Sequence, residues 1–372
     1  MKRVKLIWLA AIAAFALTAI AVTAGSASAA EPEWGHCVPV KSKGHYEDGN
    51  CTKEDFKENK AHERKYKGKF EWDSGAAAAC FAQKHGKYKD AGCTELDEKK
   101  GQPKGKYELT GGPKFTGEGG AGVLRTTQNG CEEPGEVHNQ RPRKDCEPAC
   151  PHEGACGYQE FGEATVECTS EKASGEATGT SEVGNVSVRF KGCTSFSLPA
   201  TGIGLPAGEI QVNPLKGRLG YINKAKHEVG VLLEPAAAGG LFAEFEIFEG
   251  AIMDRVGVGN ATTGTFYEEG GTPGAPSGHD GVISPISPIN VMTHTFSQNY
   301  RAESTKIKCT ENCETAEIDQ FQNIPSRFEG GPLEVLENFI EGTGNGSRSE
   351  WASAGQEVNN VNTVEGNAEI KG

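Results

Sequence analysis

The chain has 372 residues, 36% of them hydrophobic, with 50 glycines, 12 cysteines and a formal net charge of −13. Such acidity excludes the net basic face that phosphate backbones need, so nucleic acid is not an expected partner. The charge is uneven: residues 31–110 hold 16 Lys+Arg against 15 Asp+Glu, whereas residues 111–372 hold 19 against 36.

The N-terminus reads as an export signal over residues 1–29. Lys2, Arg3 and Lys5 precede an apolar run from Leu6 to Val22, and Ala27-Ser28-Ala29 offers the small-x-small pattern of a cleavage site. An uncleaved anchor is the alternative, but the Ala-rich run is marginal for a span of about 20 residues. No later apolar stretch reaches that length, so no membrane span is expected after cleavage. The mature chain is expected to be secreted, as an extracellular or cell-surface protein. All twelve cysteines follow the signal, and in an oxidising compartment an even count reads first as disulfides.

Residues 31–110 contain a repeat. The first copy starts at Trp34 and Cys37, runs through Gly44, Tyr46, Asp48, Cys51 and Thr52, and ends in Lys67-Gly68-Lys69-Phe70-Glu71-Trp72. The second starts at Cys80, runs through Gly86, Tyr88, Asp90, Cys93 and Thr94, and ends in Lys104-Gly105-Lys106-Tyr107-Glu108-Leu109. A period near 42 residues indicates two small duplicated modules. The simplest pairing is Cys37 with Cys51 and Cys80 with Cys93, each closing a loop of about 14 residues worth ~3 kcal/mol in the chain-entropy model. Pairing across the copies is the alternative.

Residues 111–157 read as a Gly-rich linker with a Cys-rich insert carrying Cys131, Cys146, Cys150 and Cys156 among prolines. From 158 to 372 the pattern turns to strict alternation. Val186, Val188 and Phe190 alternate with polar residues. So do Val229, Val231 and Leu233, then Ala243, Phe245 and Ile247, then Thr305 and Ile307. With frequent turn residues, this predicts short strands with one buried face in an antiparallel β-sandwich or barrel-like domain. The expected fold class is therefore mainly β. Cys168 and Cys193 flank the first strands and are candidates to clip them together. Cys309 and Cys313 either close a tight loop or reach elsewhere.

Several strings resemble those of a group of uncharacterised secreted, Cys-containing β-rich proteins of soil actinobacteria. These are the Trp/Cys/Tyr-x-Asp repeat, residues 208–235, 281–296 and 326–342, and the C-terminal AEIKG. The resemblance implies export from a Gram-positive-like cell and a β-rich fold, and it brings no active site. A bacterial source would leave the sequons at Asn50, Asn185, Asn260 and Asn345 unused.

Some residue groups carry chemistry in other proteins. Cys146, Cys150, His152 and Cys156 are zinc-ligand types, but their spacing fits no finger, and disulfides are expected instead. Glu244 and Glu246 fall on one face of a predicted strand, about 6.5–7 Å apart, which glycosidase chemistry allows. An outer, solvated face opposite Phe245 is the plainer reading. Ser277, His279 and Asp280 are hydrolase types adjacent on a loop, a poor arrangement for a triad. His294 is expected to be a hydrogen-bonded sheet residue. The Lys-rich run from Lys53 to Lys69 is interleaved with acids, the pattern of a solvated, ion-paired face.

The expected function is non-catalytic binding of envelope or environmental polysaccharide, with no metal and no cofactor. Trp34, Tyr46, Asp48, Trp72, Tyr88 and Asp90 are the candidate ligand-binding residues, since aromatic faces beside carboxylates suit sugar stacking. A hydrolase using carboxylates of the β domain and a protein-interaction module are the alternatives.

Overall fold

The computed structural model describes residues 31–60, 62–74, 79–99, 102–127, 163–237, 240–249, 252–259, 279–311, 314–342 and 352–372. The export signal, the Cys131–Cys156 insert with His152, and Ser277, Asn260, Asn345 and Cys313 lie outside these residues.

Each N-terminal module is an antiparallel hairpin with a smaller hairpin inside it. In the first, β1 (Glu33–Gly44) pairs with β4 (Gly68–Ser74), and β2 (Phe56–Glu58) with β3 (Arg64–Tyr66). In the second, β5 (Cys80–Gly86) pairs with β8 (Gly105–Leu109), and β6 (Glu98–Lys99) with β7 (Gln102–Pro103). Cys37–Cys51 and Cys80–Cys93 are bridged within their modules, with Cα separations of 5.5 and 5.9 Å.

The shared string has a local reason in both modules. The Asp48 carboxylate accepts hydrogen bonds from the Thr52 amide and hydroxyl (3.1 and 2.7 Å) and the Lys53 amide (2.7 Å). Asp90 does the same for Thr94 (3.1 and 2.8 Å) and the Glu95 amide (2.7 Å). Partial burial pushes both carboxyls up, but these bonds outweigh it and hold them below the usual Asp range. The Lys-Gly-Lys glycines let two backbones touch. A Cβ at Gly68 would stand 2.2 Å from the Tyr46 carbonyl oxygen, and one at Gly105 would stand 2.0 Å from that of Tyr88.

Seventeen further strands follow, apart from the last. They are β9 (Lys114–Gly119), β10 (Gly122–Thr127), β11 (Glu163–Cys168), β12 (Ser170–Ala177), β13 (Glu182–Lys191), β14 (Thr194–Ser195), β15 (Leu198–Gly202), β16 (Glu209–Gln211) and β17 (Leu215–Asn223). After one 3-10 turn at Lys224–Lys226 come β18 (Glu228–Pro235), β19 (Ala243–Glu249), β20 (Ile252–Gly259), β21 (His279–Asp280), β22 (Val282–Ser287), β23 (Thr293–Glu311), β24 (Glu314–Ile324) and β25 (Glu334–Gly342). The last is β26 (Ala352–Lys371). No α-helix occurs among the described residues.

The antiparallel pairings β9–β12–β13–β17–β18–β22–β23–β26 return to β9 and close an eight-stranded barrel. A second circuit, β10–β11–β14–β15–β19–β20–β25–β26, returns to β10. One apolar core runs through both, from Val186, Val231 and Phe296 to Phe245, Val258 and Leu336. Closure leaves the ring strands no free edge.

The alternation places Val186, Val188, Val229, Val231, Ala243 and Phe245 inside, as the period-two pattern requires. Asn185 sits at φ 51° where the pairing of β13 with β17 slips, so Val183 and Val186 both face inward although three residues apart. β18 differs from expectation: Leu232, on its outer face, is also buried, because Phe328 and Ile283 cover it. A third bridge among the described residues, Cys168–Cys193, ties the end of β11 to the residue just before β14.

Replacing Cys80 and Cys93 together by Ala should lower stability by about 3 kcal/mol in urea unfolding, from the loop entropy alone. A loss below about 1 kcal/mol would mean that strand pairing, not the staple, holds the second module.

Candidate functional site

The end of β26 reaches the first module and organises its surface. Glu33, Trp34 and Gly35 of β1 pair with Lys371, Ile370 and Glu369. The Lys371 ammonium therefore lies over the Tyr46 ring, 4.0 Å from its centroid, and 5.1 Å from that of Trp72. It also donates to the Tyr46 hydroxyl. The Trp72 indole N–H donates to Glu33 at 2.5 Å, which fixes the ring.

The aromatic surface continues away from Trp72. His45 neighbours Tyr46, with centroids 6.4 Å apart, and packs on Tyr66 at 3.8 Å and 53°. Its ring nitrogen meets the Glu71 carboxylate at 2.5 Å, and its amide donates to the same group at 2.9 Å. Tyr66 faces Phe56 across the β2–β3 pair at 6.0 Å, and the Arg64 guanidinium lies 4.5 Å over Phe56. Phe56, Tyr66, His45, Tyr46 and Trp72 are all half-buried. Each keeps a partly wet ring, the amphipathic condition under which aromatics bind flat, hydroxyl-rich ligands.

The sequence candidates separate in this geometry. Tyr46 and Trp72 come together through Lys371. Asp48 and Asp90 are turned onto their own backbones. Trp34, 4% exposed, packs edge-on against Phe296 in the barrel core at 5.5 Å. Tyr88 is buried on the Cys80–Cys93 bridge with Leu96, Tyr107 and Leu109. Thus the second module repeats the scaffold and not the surface. Leu109, Pro103 and Glu98 stand where the first has Trp72, Tyr66 and Phe56. Sequence reasoning missed Phe56, Tyr66, His45 and Lys371. An aromatic pair ten residues apart across a short hairpin signals the first two, whereas nothing local announces Lys371.

The remaining groups are quickly placed. In the Lys53–Lys69 run, Lys53 pairs with Glu47 (2.9 Å), Arg64 with Glu54 (3.2 Å) and Lys67 with Asp55 (2.9 Å), the ion-paired face expected of mixed charge. Glu244 and Glu246 are half-buried on the face of β19 opposite Phe245, and Phe245, not they, lines the interior cavity. His294 is a sheet residue of β23, exposed where the pairing of β23 with β26 slips between Thr293 and Thr295. Among the described residues no group of three or more His, Cys, Asp or Glu is disposed to hold a metal ion. No described helix is long and apolar enough to cross a membrane, and the three intramolecular disulfides among the described residues fit an oxidising compartment. No protein-family model, curated protein or solved structure matches the chain.

Two buried acids stand out. Glu369 is fully buried beneath the strip, and neither of its carboxylate oxygens has a hydrogen-bond partner among the described residues. Burial pushes its pKa to about 8, against the pull of Lys371 and with a small push from Asp48. Glu171, inside the barrel, is pushed to about 7 by burial, opposed by a hydrogen bond from Asn360. Both are raised acids, so the folded state binds more protons than the unfolded state above the ordinary Glu value of 4.5. Their contribution is therefore fully present below pH 4.5 and is lost as pH rises towards 7–8. The melting temperature should fall as pH rises through this window. Glu171→Gln and Glu369→Gln should each flatten that fall, measured by thermal unfolding between pH 5 and about 8.5.

Proposed function

We propose that this is an exported, non-catalytic protein that binds extended polysaccharide, of the cell envelope or the surroundings, along the first module. The continuous line of half-buried rings from Phe56 through Tyr66, His45 and Tyr46 to Trp72, with Lys371 between the last two, carries the reading. Sugar rings stack on such faces, while the Tyr hydroxyls and the Lys ammonium supply polar contacts at the rim. The signal pattern, the even cysteine count and the resemblance to secreted actinobacterial proteins support an extracellular setting. Both modules share one scaffold, so the second acts as a support that packs Leu96 and Leu109 inward and leaves recognition to the first.

Co-sedimentation of the mature chain with isolated envelopes and insoluble polysaccharides tests this. Tyr66→Ala with Trp72→Ala should weaken binding about tenfold or more, ~1.4 kcal/mol. Phe196→Ala, at a site 70% exposed outside the modules, should leave it unchanged. Equal binding by the double variant, with its urea midpoint intact, overturns the assignment to this strip. Release of reducing sugar that is lost on Glu244→Gln or Glu246→Gln would instead assign a hydrolase.

A further inference from the structure

The barrel interior contains a polar niche that the surface strip does not use. Glu171 on β12 and Asn360 and Asn362 on β26 are 4%, 2% and 5% exposed. The Asn360 amide N–H donates to Glu171 Oε1 at 2.8 Å, and that of Asn362 donates to Gln298 Oε1 at 2.7 Å. Gln298 in turn donates to the Ser284 hydroxyl at 3.0 Å. These bonds fix both asparagine orientations. They leave Glu171 Oε2, Asn360 Oδ1 and Asn362 Oδ1 without a partner among the described residues. All three are acceptors, and an unpaired buried acceptor costs about 1–3 kcal/mol, more for a carboxylate.

The facing wall approaches these atoms closely through glycine backbone. β9 turns Gly117 and Gly119 towards these atoms. A Cβ at Gly117 would stand 2.6 Å from Asn362 Oδ1 and 2.7 Å from Asn360 Oδ1, and one at Gly119 would stand 2.8 Å from Glu171 Oε2. Two cavities adjoin, of about 90 and about 40 Å³, and Glu171 and Tyr300 border both. Asn360 and Asn362 border the smaller. The larger is walled chiefly by apolar side chains, among them Val188, Phe190, Leu233, Phe245, Val258 and Val282.

We infer that this interior binds a small branched aliphatic amine, its ammonium on Glu171, Asn360 and Asn362 and its hydrocarbon in the larger cavity. An ammonium carries three donors and no acceptor, and the niche turns three unpartnered acceptors towards it; the unpartnered Trp34 indole N–H, on the wall of the smaller cavity, is a donor that a water there can satisfy. Glu171 is neutral below about pH 7; above it the ionised carboxylate calls for an opposite charge, which water does not supply. The body is limited to about five non-hydrogen atoms, because an apolar cavity of ~150 Å³ admits a molecule the size of benzene. Five such atoms support a dissociation constant of about micromolar to millimolar.

The test is methyl NMR on the mature chain, titrated at a matched pH of about 8, where Glu171 is ionised, with isobutylamine and with isobutanol. The expected result is saturable shifts of Val188, Leu233, Val258 and Val282 methyls, with isobutylamine at least tenfold tighter than the alcohol. Glu171→Gln should remove that tenfold preference. Val258→Phe, which fills the larger cavity and touches no polar group of the niche, should weaken both probes. If water alone fills the niche, neither probe shifts these methyls and the inference fails. Equal binding of amine and alcohol, unchanged by Glu171→Gln, overturns it as well.

Discussion

Strand β26 pairs with six other strands, from β1 near the start of the described fold to β25 just before it. Residues 352–357 pair with β25 and β10, residues 358–364 and Ala368 with β23 and β9, Asn367 with Cys80 of β5, and residues 369–371 with β1. Neither circuit closes without it, and closure is what removes the free edges of a β protein. The chain's last strand thus completes pairings between residues more than 200 positions apart, such as Val123 with Glu357 and Trp34 with Ile370. Contacts so distant in sequence are slow to form, because loop closure precedes any gain from pairing. Ala368 and Ile370 are fully buried, so the terminus is core as well as closure.

The two modules separate scaffold from surface. Cysteines, the aspartate turn and the Lys-Gly-Lys close approach recur because each solves the same backbone problem. Surface pairs were free to change together. The Glu47–Lys53 pair of the first module becomes Lys89–Glu95 in the second, with the charges exchanged and the contact kept at 2.9 and 2.7 Å. Such exposed pairs are worth little, roughly 0–1 kcal/mol, so the exchange costs almost nothing. The same freedom let one face gather Phe56, Tyr66 and Trp72 while the other kept Glu98, Pro103 and Leu109.

Burying Glu171 and Glu369 works against stability, since an ionised carboxylate away from water is costly unless paired. Both lie on or against β26, the strand the fold can least rearrange. Glu369 pairs with Gly35 of β1, two residues before Lys371, and Glu171 borders two cavities. A hydrophobic side chain of similar size at either position would avoid the penalty.

Much of the architecture was legible in the chain. Alternation of Val186 and Val188, or of Ala243 and Phe245, reports a strand with one buried face, because a pleated backbone sends neighbours to opposite sides. Matching cysteine pairs in two copies point to staples within each copy, since both bridges close short loops. The sites were only partly legible. Trp34 and Tyr88 share residue type with Tyr46 and Trp72, yet the first pair are packing residues. Burial depends on which strands lie alongside, and the repeat does not encode that. Lys371 meets Tyr46 and Glu171 meets Asn360 across 325 and 189 positions. Such meetings have no local signature. By itself the sequence determined strand content, turn chemistry and staples, all set by neighbours within a few tens of residues. The tertiary structure alone decided closure through β26, the half-buried aromatic line and the polar niche, because each depends on which distant strands become neighbours when the rings close.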